Sequence, residues 1–205
     1  DTDRGGDLFC KWLQLDHGTA DRGSIALQAL NYPSNQNPTE LAQAHFLWAE
    51  KHMNHFGRDF DFGDHDFSDN RRIRLGMLSG DFCRHPVGRF AMLLCHHLDL
   101  QRFELFIYSN NHETDELKPS FEEHAVWCDV TRLTDDEAAI KIREDRVEIL
   151  LDLSGHTKGN RLGIVARKPA PIQAALFAYP NTTGLGAVDY RVTDPHSDPA
   201  GATES

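Results

Sequence analysis

The sequence predicts an α/β domain with a mainly parallel sheet, preceded by a short α-helical segment. Beyond residue 70, short apolar stretches typical of strands alternate with stretches of helical periodicity. Parallel neighbours need crossover helices, so this alternation favours a parallel sheet. Before residue 70 only helical patterns occur, and they end in an acidic, aromatic stretch. We therefore expect a helical segment with an acidic linker over residues 1–70 and the α/β lobe over residues 71–205.

The helical segment carries three candidate helices. Residues 8–15 resemble the tail of an apolar helix, and residues 24–30 form a second short helical pattern. The third helix has the clearest start, because Asn37 can cap it, Pro38 fits its first turn and Glu40 follows the cap by three positions. The acidic linker that follows lacks the glycine and the terminal glutamate of an EF-hand loop, so we expect no metal site there.

Strands and helices alternate through the lobe. In its first helix, Val87, Phe90, Leu94 and Leu98 form an apolar stripe on one face. A capping box opens at Thr134. Strands are predicted at 73–77, 103–109, 126–130, 147–153, 172–177 and 190–193, and helices at 87–98, 115–124, 134–143 and 160–167.

Composition excludes several functional classes. The net charge of −11 argues against a nucleic-acid-binding surface, and no apolar run is long enough to cross a membrane. The four cysteines, Cys10, Cys83, Cys95 and Cys128, show no C-x-x-C spacing, which argues against a zinc or disulfide framework and favours a reducing, cytoplasmic compartment. Both ends of the sequence lack a start or stop element, so we expect that it was cut from a longer protein.

Loops that leave the strands are the first place to seek a site, because open parallel sheets bind ligands at the carboxyl ends of their strands. The first loop, residues 79–88, contains Asp81, His85 and Pro86. Pro86 can open a helix, which sets His85 at or just before a helix N-terminus, where the dipole disfavours imidazolium. A neutral imidazole could accept a proton or a hydrogen bond from a hydroxyl. The alternative is that His85 is only a polar terminal residue and Asp81 a turn former.

The second loop, residues 153–161, follows a strand expected to be buried. It contains Gly155, His156 and Thr157, with the cations Lys158 and Arg161. This content suits a polar, phosphorylated or glycosyl ligand, although the spacing is not that of a P-loop. A glycine-rich turn that feeds the next helix is the alternative.

The third loop, residues 178–186, has a backbone fixed by glycine and proline. Its amide and hydroxyl side chains offer hydrogen bonds of the type that sugars need. The alternative is a plain surface loop. The residues of interest are Ala178, Tyr179, Pro180, Asn181, Thr182 and Thr183.

Together these loops resemble one family, the O-GlcNAc transferases with their bacterial relatives and the plant SPINDLY proteins, grouped as glycosyltransferase family 41. The resemblance covers most of the chain. The matching stretches are 72–76 with Asp81-Phe82 and His85-Pro86, then 103–109, 149–161, 167–173 and 179–184 with Asp189-Tyr190.

The resemblance implies the Rossmann-like N-terminal lobe of a two-lobed GT-B glycosyltransferase, preceded by the end of a tetratricopeptide region. It also implies a C-terminal lobe, absent from this sequence, that holds most of the nucleotide sugar. The implied reaction is an inverting, metal-independent transfer of N-acetylglucosamine from UDP-GlcNAc, a co-substrate rather than a cofactor, to Ser or Thr of a protein acceptor. This lobe alone is then expected to be inactive.

The resemblance also assigns the residues. His85 matches the histidine at the sugar and acceptor site, and Ala178 and Pro180 match positions whose backbone lines the sugar pocket. The other predicted substrate-binding residues are Asp81, Pro86, Gly155, His156, Thr157, Tyr179, Asn181, Thr182 and Thr183, with Lys158 and Arg161 as candidates for the diphosphate.

Three alternatives stay open at this point. The donor is GDP-fucose in the SPINDLY branch of the resemblance. A non-catalytic scaffold lobe next to partner-binding repeats would use the same fold. A nucleotide- or phosphate-binding module of flavodoxin-like type would bind its ligand as this single lobe.

Overall fold

The computed structural model describes residues 19–33, 37–57, 60–66, 68, 71–112 and 116–199. The helix predicted over 8–15 and the predicted start of another at 115 lie outside these residues. None of the helices in these ranges is long and apolar enough to cross a membrane. The helices are α1 (Ala20–Ala29), α2 (Pro38–His52), α3 (Pro86–His97), α4 (Lys118–Glu122), α5 (Asp135–Glu144) and α6 (Leu162–Ala166), and the strands are β1 (Ile73–Ser79), β2 (Phe103–Ser109), β3 (Ala125–Asp129), β4 (Ile149–Asp152), β5 (Ile172–Leu176) and β6 (Tyr190–Val192).

The six strands form one parallel sheet in the order β3-β2-β1-β4-β5-β6. Leu75 of β1 pairs with Leu105 of β2 on one side and with Ile149 of β4 on the other. The chain order therefore reverses between β1 and β4, which is the switch point at which such sheets bind ligands. The predicted α/β fold with a parallel sheet is confirmed.

Local capping signals set the starts of two helices as predicted. Asn37 Oδ1 accepts a hydrogen bond from the Thr39 backbone N–H at 3.0 Å, and Pro38 occupies the first turn of α2. At α5, Thr134 Oγ1 accepts from the Glu137 N–H at 3.2 Å while the Glu137 carboxylate accepts from the Thr134 N–H at 2.8 Å. Each cap satisfies backbone donors that the helix itself leaves unpaired.

The apolar stripe predicted for α3 is only partly buried. The buried positions are Val87, Gly88, Ala91 and Cys95, whereas Phe90 is 57% exposed. Packing of the helix on the sheet selects the narrow row of small and β-branched side chains, because these allow close approach. Phe90 is left at the surface beside another aromatic residue, Phe177.

Helices cover both faces of the sheet, and α1 and α2 are part of this packing. One hydrophobic cluster joins α3 and α4 to one face through residues such as Ala91 and Phe121. The other cluster joins α1, α2, α5 and α6 to the opposite face, and it includes Leu27, Trp48 and Ile142. The helical segment therefore shares a core with the lobe, and the boundary near residue 70 stays a prediction.

Two buried polar side chains near the start of β5, Lys168 and Gln173, connect this strand to the α6 region and to residues 187–189. Lys168 is buried, forms an ion pair with Asp189 and donates to the Ala187 carbonyl at 2.8 Å. Gln173 Nε2 donates to the carbonyls of Val165 and Ala187 at 2.8 and 3.0 Å. These buried polar side chains hold the backbone that leads into the third loop.

Trp48 tests whether the helical segment and the sheet fold as one unit. Its ring is buried, and its Nε1 donates to the Ala20 carbonyl at 3.1 Å. We expect Trp48→Ala to lower the free energy of unfolding by about 3–5 kcal/mol, because a large cavity opens in the shared core. Urea unfolding followed by far-UV circular dichroism should show one transition at a lower midpoint.

Phe46→Ala is the matched control, because Phe46 lies on the same helix but is 51% exposed. Its effect should stay within about 0.5 kcal/mol. Two separate transitions, with the sheet keeping its wild-type midpoint in Trp48→Ala, would contradict a shared core.

Candidate active site

The three candidate loops follow three adjacent strands and therefore meet at one edge of the sheet. The first follows β1, the second β4 and the third β5. The first two loops touch across the switch point, where a Cβ on Gly80 would lie 3.1 Å from the Gly159 carbonyl oxygen. Asn110, at the end of β2, donates to the same oxygen at 3.0 Å.

The second and third loops also pack directly against each other. Gly155 has a φ of +54°, and a Cβ there would lie 2.3 Å from Cβ of Tyr179. Only glycine combines that backbone conformation with so close an approach. His156 adds a hydrogen bond, because its Nε2 lies 3.0 Å from the Thr183 carbonyl oxygen. The three loops thus form one continuous surface.

His85 is the N-cap residue of α3, as the sequence predicted. Its Nδ1 accepts a hydrogen bond from the Val87 N–H at 3.3 Å, Pro86 follows in the first turn, and the imidazole is 46% exposed. Because Nδ1 uses its lone pair as an acceptor, a neutral ring in this geometry carries its proton on Nε2. His85 therefore has a hydrogen-bond donor at Nε2.

Asp81 lies beside this histidine. One carboxylate oxygen is 3.8 Å from His85 Nδ1, too far for a direct hydrogen bond but close enough for charge interaction. Burial raises the pKa of the Asp81 carboxyl, and a charge on His85 opposes that rise. The loop is pressed onto the first turn of α3, since a Cβ on Gly88 would lie 2.2 Å from the Cys83 carbonyl oxygen.

A cavity of about 380 Å³ opens beside the third loop. One wall is formed by Phe177, which has a positive φ of 38° and stands half-exposed, with its ring 5.6 Å from that of Phe90 on α3. This aromatic pair connects the cavity to the helix that His85 caps. The cavity is lined by residues 175–180 and 191–194 together with Ser197.

Two residues on the far wall of this cavity, Arg191 and Ser197, were not predicted from the sequence. Arg191 donates from Nη2 to the Pro180 carbonyl at 3.1 Å and so supports the third loop. Ser197 lies further along the chain and also lines the cavity. No local pattern marks either residue, because only the return of β6 to the sheet brings them next to β5.

The structure directs the side chain of His156 into the interior. The ring is fully buried, and both its nitrogens bond protein atoms, Ser24 Oγ at 2.6 Å and the Thr183 carbonyl at 3.0 Å. Burial lowers its pKa to about 3, so the ring is neutral at physiological pH. A direct contact between substrate and this side chain would require the ring to leave both partners.

The two cations of the second loop differ in availability. All three guanidinium nitrogens of Arg161 bond protein atoms. Its Nε pairs with Asp135 at 2.6 Å, and the other two donate to Asn110 and to two backbone carbonyls. Lys158 is exposed. Of the two predicted diphosphate ligands, Lys158 is the one whose charge faces solvent.

The remaining predicted residues mostly hold turns. Thr157 Oγ1 donates to the Ser154 carbonyl at 2.9 Å, and Thr182 Oγ1 accepts from the Gly184 N–H at 3.1 Å. Thr183 is buried, and Asn181 bonds Asn31 of the helical segment at 3.2 Å. Ala178 and Pro180 line the cavity, and hydrogen bonds of the neighbouring side chains hold the backbone of the third loop.

Asp152 is a further buried group that the sequence analysis did not single out. It ends β4, and its carboxylate accepts from the backbone N–H groups of Ser154 and Gly155 at 3.1 and 2.9 Å. Burial raises its pKa to about 6, against the opposing effect of these two hydrogen bonds. The sequence signal that could have indicated Asp152 is a single carboxylate at the end of an apolar strand.

Across the described ranges, no three His, Cys, Asp or Glu residues are grouped to hold a metal ion.

Comparison with known proteins identifies the family. The family described as Glycosyl transferase family 41 matches residues 27–205. The chain belongs to glycosyl transferase family 41. It is 33% identical over 199 residues to the rice protein named probable UDP-N-acetylglucosamine–peptide N-acetylglucosaminyltransferase SPINDLY. This match covers 95% of this chain and 21% of that relative. It is also 35% identical over 132 residues to the Caenorhabditis elegans UDP-N-acetylglucosamine–peptide N-acetylglucosaminyltransferase. This second match covers 63% of this chain and 12% of that relative.

A solved family 41 structure agrees with the fold. A mutant of the Thermobaculum terrenum O-GlcNAc transferase superposes with a TM-score of 0.86 at 32% identity, over 98% of this chain and 39% of that one. The chain thus spans about a fifth of the SPINDLY relative and two fifths of this structure. The lobe described above is one part of what a family 41 protein contains.

The raised pKa of Asp152 should make the free energy of unfolding of this lobe depend on pH. Its folded-state pKa of about 6 lies above the value near 4 expected in the unfolded chain, so the folded state binds the proton more tightly. This carboxyl therefore lowers the free energy of unfolding as pH rises between those values, by about 3 kcal/mol in all. Asp152→Asn removes this loss.

The measurement is urea unfolding of wild type and Asp152→Asn at several pH values between about 4 and 7. The stability of the variant minus that of wild type should increase with pH, whatever constant offset the amide introduces. A difference that stays flat over this range would show that the carboxyl has an ordinary pKa in the folded protein.

Proposed function

We propose that the chain forms the N-terminal catalytic lobe of an inverting, metal-independent protein O-glycosyltransferase. In this proposal it moves N-acetylglucosamine from UDP-GlcNAc to Ser or Thr hydroxyls of protein acceptors. The observation that carries the proposal is the placement of His85 at a helix N-terminus next to the switch point. Phe90 of the same helix packs against Phe177, which lines the cavity of the third loop.

The relatives support the choice of donor. The names of the rice and nematode relatives specify UDP-N-acetylglucosamine as donor and a peptide as acceptor, as does that of the Arabidopsis protein SEC, 35% identical over 131 residues. These names favour N-acetylglucosamine over the GDP-fucose alternative. Cys83, Cys95 and Cys128 form no disulfide in the described part of the chain, which supports a reducing, cytoplasmic setting.

In the proposed reaction, the acceptor hydroxyl attacks the anomeric carbon while the bond to the diphosphate oxygen breaks. The electron pair leaves with the diphosphate, and the proton of the acceptor hydroxyl passes to an oxygen of the departing diphosphate, either directly or through water. His85, with its proton on Nε2, donates a hydrogen bond to an oxygen of the sugar or acceptor. The N-terminus of α3 adds positive potential at the same place.

Charge on the departing diphosphate needs further counter-charges. Lys158 is the exposed candidate in this lobe, and Arg161 is engaged with Asp135. We therefore assign the main diphosphate contacts to a C-terminal lobe outside this chain. The isolated lobe should accordingly bind the donor weakly and show negligible turnover.

Substitutions of His85 in the full-length protein can separate its capping role at Nδ1 from its proposed role in the reaction at Nε2. Asparagine is among the best N-cap residues, so the Oδ1 of His85→Asn can replace Nδ1 at the start of α3 while Nε2 is lost. We expect His85→Asn to keep the thermal midpoint and to lose roughly 100-fold or more in transfer from labelled UDP-GlcNAc. His85→Ala should lose both the cap and the activity.

Each contrary outcome has a distinct meaning. Wild-type rates in His85→Asn would reduce His85 to a capping residue. Labelling by GDP-fucose and not by UDP-GlcNAc would replace the donor in the proposal. A folded full-length protein that labels nothing from either donor, with a varied acceptor pool, would favour the scaffold alternative.

A further inference from the structure

His45 of α2 connects the helical segment to the third loop. The ring is completely buried, with Nδ1 2.7 Å from the Leu41 carbonyl oxygen and Nε2 2.7 Å from the Tyr179 hydroxyl. A carbonyl oxygen can only accept, so the proton of the neutral ring is on Nδ1. Nε2 therefore accepts from the Tyr179 hydroxyl.

The same chain of hydrogen bonds continues through the end of α1. Asn31 Nδ2 donates to the Tyr179 oxygen at 2.9 Å and to the Leu27 carbonyl at 2.9 Å. Its Oδ1 accepts from Nδ2 of Asn181 at 3.2 Å. The direction of every bond is fixed, from Asn181 to Asn31, from Asn31 to Tyr179 and from Tyr179 to His45.

A second chain connects α1 to the second and third loops. His156 Nε2 lies 3.0 Å from the Thr183 carbonyl, so this nitrogen carries the proton and donates. Its Nδ1 then accepts from the Ser24 hydroxyl at 2.6 Å. Asn160 Nδ2 approaches the same Ser24 oxygen at 3.4 Å.

The two chains lie against each other in a buried cluster. The rings of His45 and His156 are 5.1 Å apart, and Trp48 packs edge-on against His156 at 4.5 Å. Burial lowers the pKa of both histidines, so both rings are neutral and their tautomers persist. Loss of one partner would leave the next polar group buried and unpaired.

Tyr179 connects the first hydrogen-bond chain to the cavity wall. Its side chain is buried among the helices, while residues 178–180 line the cavity. The backbone is held on the other side as well, because a Cβ on Gly184 would lie 2.2 Å from the His45 carbonyl oxygen. The third loop thus rests on α2 by both a side chain and its backbone.

We propose that Ser24, Asn31 and His45 are positioning residues of the donor-sugar site, which makes α1 and α2 a structural part of that site. Asn31 and His45 act through Tyr179 on the loop residues that line the cavity. Ser24 acts through His156 on the Thr183 end of the same loop, and none of the three touches the donor itself. This inference rests on the proposed function. It follows that a displacement of α1 and α2 against the lobe changes the shape of the sugar site.

His45→Leu and His45→Gln in the full-length protein test the proposal. Glutamine can offer an acceptor oxygen to the Tyr179 hydroxyl, whereas leucine fills the space without one. We expect His45→Leu to raise the KM for UDP-GlcNAc by about 10-fold, more than it lowers kcat, because the sugar pocket loses its geometry. His45→Gln should stay within about 3-fold of wild type in KM. Tyr179→Phe removes only the hydroxyl, and it should repeat the KM effect if His45→Leu folds poorly.

Ile142→Ala is the control for a loss of stability alone. Ile142 is fully buried on α5 in the same hydrophobic cluster but takes no part in the hydrogen-bond chains. It should lower the thermal midpoint without changing KM. An unchanged KM in His45→Leu and Tyr179→Phe, or an equal rise in Ile142→Ala, would overturn the positioning role while leaving the proposed function intact. Absence of transfer in the wild type itself would instead overturn the proposed function, and this inference with it.

Discussion

Parallel pairing of β1 with β4 and of β4 with β5 is the constraint on which the rest of the structure depends. Neighbouring strands lie only about 4.8 Å apart, so loops that leave them at the same edge must pack against each other. Glycine is required where they meet, as at Gly155 against Tyr179. His85 lies on the loop that follows β1, next to the switch point, and the end of β5 supplies the cavity wall.

A surface made of loops needs support from outside the sheet, and here α1 and α2 provide it. The third loop leads away from a strand near the sheet edge, and the hydroxyl of its buried Tyr179 bonds His45 of α2. The hydrogen bonds to His45 and His156 come from elements far away in sequence and satisfy polar groups that would otherwise be buried without partners. The same helices also contribute Trp48 to the core, so folding and the shape of the site depend on one interface.

Local signals predicted the fold well because its elements are locally encoded. The caps at Asn37 and Thr134 and the position of His85 before Pro86 all follow from residues within one helical turn. Contacts between distant residues gave no such signal. His45 and Tyr179 are 134 positions apart, and nothing near either one indicates the other. The exposure of Phe90 likewise depends on which face of α3 packs against the sheet, so the stripe alone could not predict it.

The function of the second loop was hardest to predict for the same reason. A histidine, a threonine and two cations after a buried strand fit a ligand site, yet the structure turns His156 inward and pairs Arg161 with Asp135. The most direct measurement is the structure of the full-length protein with UDP-GlcNAc bound. We expect the sugar to lie against residues 178–180, with His85 Nε2 within hydrogen-bond distance of a sugar or acceptor oxygen. A sugar bound at another surface, such as the arginine-lined cavity at the amino ends of β1 and β4, would contradict it.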